Sequence, residues 1–136
     1  NELRESYDTS VIMITHDLGV VAETADYVGV MYAGILVEKA PVADLFGNPL
    51  HPYTRGLMAA APGRASFGLK RLPTIPGTVP KLGEMPPGCP FQPRCPDAIP
   101  VCAEQLAPHC VENDHHVACW LYAESGAAKA APGGND

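Results

Sequence analysis

Residues Ser10-Val-Ile-Met-Ile-Thr-His-Asp-Leu-Gly-Val-Val-Ala-Glu-Thr-Ala-Asp26 decide the reading of this chain. Val11 to Ile14 is a short apolar run rich in β-branched residues, the pattern of a strand buried on both faces. Thr15, His16 and Asp17 are polar, and Leu18, Val21, Ala22 and Ala25 then recur at helical spacing. The expected order is strand, polar corner, helix. His16 falls where a parallel strand would end, the place where open α/β sheets bind ligands. Taken by itself, a histidine at such a corner also reads as a solvated or capping residue.

Composition bounds the rest. A chain of 136 residues with a formal net charge of -6 and no basic cluster offers no face for nucleic acid. No run approaches the ~18 apolar residues of a membrane span, and no secretory signal opens the sequence. Five cysteines are an odd number, so a disulfide framework is a poor default, and a metal or cluster site in a reducing compartment fits better. Asn1 to Tyr7 reads as the tail of a helix begun upstream, having good helix formers and no cap.

Further along, Tyr27 to Tyr32 and Ile35 to Lys39 are strand-like runs joined by Ala33-Gly34, a two-residue connection in which Gly34 supplies positive φ. Pro41 to Phe46 is a short helix ended by Gly47-Asn48-Pro49. Thr54 to Ala61 reads as a second helix, stopped by Pro62-Gly63. Before it, His51-Pro52-Tyr53 reads as helix-entry packing: the proline fixes the turn, the tyrosine packs on the preceding helix and the histidine satisfies a backbone group. Ala65 to Pro87 is a Pro- and Gly-rich linker, extended over Leu72 to Pro80, with room for one edge strand. Glu124 to Asp136 lacks periodicity and reads as a disordered tail.

All five cysteines lie between Gly88 and Trp120. Phe91, Ile99, Val101 and Leu106 are nearly the whole central apolar inventory there, so the segment needs a staple. Structural zinc takes four ligands, but its usual spacings are shorter than the five and six residues separating Cys89, Cys95 and Cys102. A four-cysteine iron–sulfur cluster tolerates wider loops, and spacing alone leaves cluster and zinc open, with a disulfide behind. His109, His115 and His116 could join a mixed zinc set, or be solvated or bonded to backbone. Arg94 stands between two cysteines, placed to donate to cluster sulfurs or to form a surface salt bridge.

The run Val11-Ile-Met-Ile-Thr-His-Asp-Leu-Gly19 resembles the switch-histidine segment of ABC transporter ATPase subunits. Pro41-Val42, Leu45-Phe46, Asn48-Pro49 and His51-Pro52-Tyr53-Thr54 resemble the segment that opens the C-terminal extension in the oligopeptide/dipeptide/nickel branch, and Ile75 to Pro80 continues the likeness. The Gly-Cys-x-Phe-x-x-Arg-Cys-Pro run, a third Cys and a later Val-Ala-Cys resemble that extension's cysteine pattern, which in some members holds a [4Fe-4S] cluster.

The resemblance implies an α/β fold: residues 1–39 as the C-terminal end of a P-loop ABC ATPase domain, 40–122 as a loop-rich, cysteine-containing extension and 123–136 as the tail. It implies that His16 contacts the γ-phosphate of ATP and helps orient the attacking water. It assigns Cys89, Cys95, Cys102 and Cys119 as ligands and leaves Cys110 spare. It implies ATP with Mg in the full-length subunit, a [4Fe-4S] cluster with zinc as the alternative, and a second ATPase subunit, membrane permease subunits and, indirectly, a peptide-binding protein as partners. The place would be the cytoplasmic face of the cell membrane, held peripherally. No G-x-x-x-x-G-K-[ST] loop or catalytic carboxylate pair occurs, so this stretch alone is not expected to hydrolyse ATP. Against the peptide-import reading stands a non-enzymatic metal- or iron–sulfur-binding interaction module.

Overall fold

Tyr27–Tyr32 (β1) and Ile35–Pro41 (β2) form the antiparallel hairpin that anchors the fold. The computed structural model describes residues 9–61, 74–81 and 83–123, and the expected helical tail at 1–7, most of the linker's first half and the tail beyond 123 lie outside them. Val28, Val30 and Tyr32 alternate inward on β1, as a half-buried strand requires. The turn is tighter than expected: Ala33 as well as Gly34 has positive φ, 48° and 83°. Two consecutive left-handed residues make the mirror-image turn whose twist matches the flanking strands.

β2 breaks its own alternation. Val30 pairs with Glu38 but Met31 pairs with Leu36, so Val37 is an extra residue opposite no single partner. A bulge of this kind shifts the facing of the strand by one. Ile35 and Val37 face the core before it, and Glu38 and Ala40 face the core after it. Regular alternation would have left Glu38 with Leu36 on the solvent side.

Leu18–Thr24 (α1) is capped by Asp17, whose Oδ1 accepts from the N–H groups of Gly19 at 2.9 Å and Val20 at 3.2 Å. The strand expected at Val11–Ile14 is absent. No described segment pairs with it, and Ile12 and Ile14 are 92 % and 97 % exposed. A β-branched run becomes a strand only when neighbours complete its ladder, and none does here. Val42–Gly47 (α2) forms as expected and buries Leu45. Pro52–Ala60 (α3) starts two residues earlier than expected, with Pro52 in its first turn and His51 as its cap. His51 Nδ1 accepts from the Tyr53 N–H at 3.0 Å, the backbone service expected of it. Tyr53 packs on Tyr32, with ring centroids 4.7 Å apart, and on Phe91 at 5.4 Å, against the core that also holds Leu45.

The cysteine segment is less bare than its composition suggests. After Val101–Glu104 (α4) it makes a second hairpin, His109–Glu112 (β3) and His115–Ala118 (β4), through Asn113-Asp114, both with positive φ. β4 pairs antiparallel with β2, giving one four-stranded sheet in the order β1-β2-β4-β3. Phe91 carries the segment's other anchor: it is 1 % exposed and joins the core of Val28, Val30, Tyr32, Val37, Ala40 and Leu45. Residues 74–81 add no strand. They are held by Arg94 instead, which donates to the carbonyls of Ile75 at 3.0 Å and Pro76 at 2.8 Å and to the Tyr32 hydroxyl at 3.2 Å.

Glu38 ties these pieces together. Its Oε1 accepts from the Leu50 N–H at 2.7 Å and from His115 Nε2 at 2.7 Å, and its Oε2 accepts from the His51 N–H at 3.0 Å. One buried carboxyl group therefore satisfies the entry of α3 and a histidine of β4. Glu38→Ala would strand two backbone donors and a buried imidazole, and we expect it to cost about 3 kcal/mol, read as a lower urea midpoint with unchanged m-value. Ala33→Asn places a residue tolerant of left-handed φ in the first turn position. It should stabilise the chain by about 0.5–1 kcal/mol, and a Tm that fails to rise would contradict the strain assigned to Ala33.

Candidate functional site

The cysteines are positioned by tight turns rather than by long elements. Cys89 precedes a 3-10 turn at Gln92–Arg94, and Cys95 follows it at once. Cys102 lies in α4, and Cys119 lies between β4 and a second 3-10 turn at Trp120–Tyr122. The Cys89 N–H donates to the Cys102 carbonyl at 2.8 Å, which brings the first and third cysteines side by side. This approach requires Gly88. A Cβ there would collide with the Cys102 carbonyl oxygen and stand 2.9 Å from the Gln105 nitrogen.

Cys89, Cys95, Cys102 and Cys119 all line one cavity, walled by Phe91 and Trp120 among others. These are the four residues the sequence pattern selects. Cys110 does not line it. Its side chain is buried in a small cluster with Val117 and Cys119, and its thiol reaches only the Pro108 carbonyl at 3.8 Å. All five thiols are free. Among the described residues no group of three or more His, Cys, Asp or Glu side chains converges as a bound metal ion would need.

Burial pushes the Cys89 and Cys95 thiols up and raises Cys119 to about 11, with the neighbouring cysteines adding to each rise. Backbone N–H groups oppose it. Those of Phe91 and Gln92 face Cys89, that of Asp97 faces Cys95 and that of Leu121 faces Cys119. A donor from two residues downstream thus recurs at three of the four sulfurs. Such N–H···S contacts support thiolate over thiol. Four cysteines on one cavity are a donor set of the kind that holds a metal group, but among the described residues no such group is formed.

The three histidines of the segment stand apart from the cavity lining. His115 is buried against Glu38, His116 lies 3.6 Å from Asp114, and His109 is exposed on β3. Among the described residues Arg94 bonds no cysteine sulfur and forms no surface salt bridge. Its guanidinium is taken by Ile75, Pro76 and Tyr32. Sequence reasoning missed the place of His51, which lines the cysteine cavity while capping α3. Burial lowers its pKa to about 4, against the pull of Glu38 and with help from Arg55, so the ring is neutral at pH 7. The Asn48-Pro49 stop followed by Pro52 at a first-turn position was the available signal for a capping histidine.

Arg55 closes the outside of this region. It donates to the carbonyls of Pro49 and Leu50 and to the Tyr122 hydroxyl, and it lies 3.4 Å from Asp97. His16 belongs to a different place. It sits exposed at the bend before α1, where its neighbour Asp17 does the capping, and it does not line the cysteine cavity. No helix among the described residues is long and apolar enough to cross a membrane.

Comparison with known proteins bears on both places. Residues 37–102 match the family described as oligopeptide/dipeptide transporter, C-terminal region. The chain is 52 % identical over 120 residues to a probable peptide ABC transporter ATP-binding protein of Sinorhizobium fredii, covering 88 % of this chain and 36 % of that protein. It is 47 % identical over 121 residues to the dipeptide transport ATP-binding protein DppD of Bacillus subtilis, covering 88 % and 36 %. It is 53 % identical over 102 residues to the oligopeptide transport ATP-binding protein OppD of Salmonella typhimurium, covering 75 % and 30 %. The chain thus spans about a third of the length of the curated relatives it matches. The bulge at Val37, the His51-capped helix and the first three cavity cysteines all lie inside residues 37–102, the part of this chain that matches the oligopeptide/dipeptide transporter C-terminal region family.

Proposed function

We propose that this chain is part of an ATP-binding subunit that energises import of short peptides across the cytoplasmic membrane. The observation that carries the reading is the family match over residues 37–102 together with relatives whose names are those of peptide-transport ATP-binding proteins. In this reading residues 1–39 finish the ATPase domain and 40–122 form the extension, whose second hairpin continues the same sheet. The intact subunit would work at the cytoplasmic face of the membrane against permease subunits and a second ATP-binding subunit, with a peptide-binding protein delivering cargo.

His16 is the residue proposed for the nucleotide. Its support is the Thr15-His16-Asp17 corner before a capped helix, which leaves the imidazole free to meet a ligand. A neutral imidazole donates one N–H to a phosphate oxygen, and phosphoryl transfer depends chiefly on such positioning and charge stabilisation. ATP and Mg would be bound mainly by parts of the subunit other than this stretch, since no phosphate-loop motif is present.

The cysteine cavity is proposed to hold a [4Fe-4S] cluster on Cys89, Cys95, Cys102 and Cys119. When bound, such a group cross-links its ligands and accepts or returns single electrons. The support for a cluster over zinc is the resemblance of the cysteine pattern to the family extension, some members of which hold one; the four residues line one cavity, and among the described residues they form no ready metal site. The chain's own part is to hold the thiolates, aim backbone N–H groups at them and exclude water with Phe91 and Trp120.

In the intact subunit His16→Ala should abolish ATP hydrolysis, by about two orders of magnitude or more, while nucleotide binding stays near wild type. Retained turnover would remove His16 from the reaction. Anaerobic purification of the chain should give a brown protein carrying iron. Cys95→Ser should lose the colour and most of the iron, and Cys110→Ser should keep both. A colourless wild-type protein loaded with zinc would overturn the cluster.

A further inference from the structure

His16 is exposed at the bend before α1, yet the backbone on both sides of it is pinned. The Asp17 N–H donates to Thr15 Oγ1 at 3.0 Å, so the threonine hydroxyl bridges across His16. Asp17 Oδ1 in turn accepts from the N–H groups of Gly19 and Val20. Gly19 leaves room for this carboxylate: a Cβ there would stand 3.2 Å from Asp17 Oδ1.

The helix behind this corner is itself fixed to the core. Val21 and Ala25 pack against the cluster that holds Val28, Val30 and Leu45. Just past the end of α1, the Val42 N–H donates to the Asp26 carbonyl at 2.9 Å, which ties that end to the start of α2. A chain of contacts therefore runs from the sheet through α1 to the Asp17 carboxylate, one residue short of the imidazole. That carboxylate is the last link. Without it the first turn loses its cap, and the backbone of His16 loses its anchor.

We infer that Asp17 is a positioning residue for His16, with the Thr15 hydroxyl as a second brace. This inference rests on the assignment of His16 to the nucleotide above. In this role Asp17 acts through its neighbour and not on the phosphate. An imidazole that must place one N–H on a phosphate oxygen works best when its backbone is held before the ligand arrives, because a misplacement of about 1 Å can cost about a hundredfold in rate. Loss of the brace frees the corner, so the imidazole meets the phosphate in the productive geometry less often.

The test is ATP turnover by the intact subunit, with kcat referred to the nucleotide sites titrated in each variant. Asp17→Ala should lower kcat about tenfold and leave KM for ATP unchanged. Asp17→Asn keeps an acceptor for the Gly19 and Val20 N–H groups and should regain most of that loss. In a His16→Ala background, Asp17→Ala should have no further effect, because a residue that acts through the imidazole then has nothing left to position. Equal losses in both backgrounds, or full turnover in Asp17→Ala, would overturn the inference and leave His16 in its role. Retained turnover in His16→Ala alone would overturn both. Should Asp17→Ala fail to fold, Thr15→Val decides, since it keeps the side-chain shape at an exposed position and deletes the acceptor for the Asp17 N–H. It should lower kcat about threefold in the wild type and not in His16→Ala, and the same kcat change in both would overturn the inference.

Discussion

A buried carboxyl group with three donors on it is the constraint from which this structure is built. Glu38 receives the N–H groups of Leu50 and His51 and the imidazole of His115, at 2.7 to 3.0 Å. Burying a carboxylate without partners is prohibitive, while one accepting three hydrogen bonds becomes a rigid junction. Here the junction joins β2 to the start of α3 on one side and to β4 on the other. A helix entry and a late hairpin, separated by more than fifty residues in sequence, are thereby fixed to a single atom group.

The cysteine cavity depends on that junction from both ends. Cys119 follows β4 directly, so its place is set by the β2–β4 ladder and by His115 on Glu38. His51 enters the cavity wall because Glu38 holds its backbone and Phe91 holds its ring. The first three cysteines are placed by separate means: Phe91 in the core, the Cys89–Cys102 backbone contact, and a glycine at position 88 that lets the two segments touch. Truncating a core phenylalanine commonly costs about 3–5 kcal/mol, so Phe91 is a stability element as well as part of the cavity wall. The segment is therefore not a free loop awaiting a metal. It is folded onto the sheet by apolar and polar anchors.

The two functional places differ in what surrounds them. His16 and the run before it stand exposed, with apolar side chains at Val11, Ile12 and Ile14 turned to solvent. The cysteines stand in a walled site with donors already aimed at three sulfurs. Pre-aimed donors lower the reorganisation that binding a charged group would demand.

Much was legible from local pattern. The β1–β2 hairpin followed from alternation and a two-residue turn, and α1 and α2 from spacing and punctuation, while the four cavity cysteines came from the family resemblance. Local rules suffice there because turn chemistry and side-chain period act over a few residues. They could not say whether Val11–Ile14 would pair, since a strand is a relation between segments. They left Arg94 open between the sulfurs and a surface salt bridge, whereas its guanidinium reaches back to residues 75 and 76. The inward turn of Glu38 was invisible for a sharper reason: a one-residue bulge at Val37 reverses which face the strand presents, and only pairing with β1 reveals it. The sequence by itself determined most of the local elements and singled out the four cysteines that line the cavity. Tertiary structure decided which side chains meet them, because a bulge, a shared carboxylate and a close glycine contact act between residues far apart in the chain.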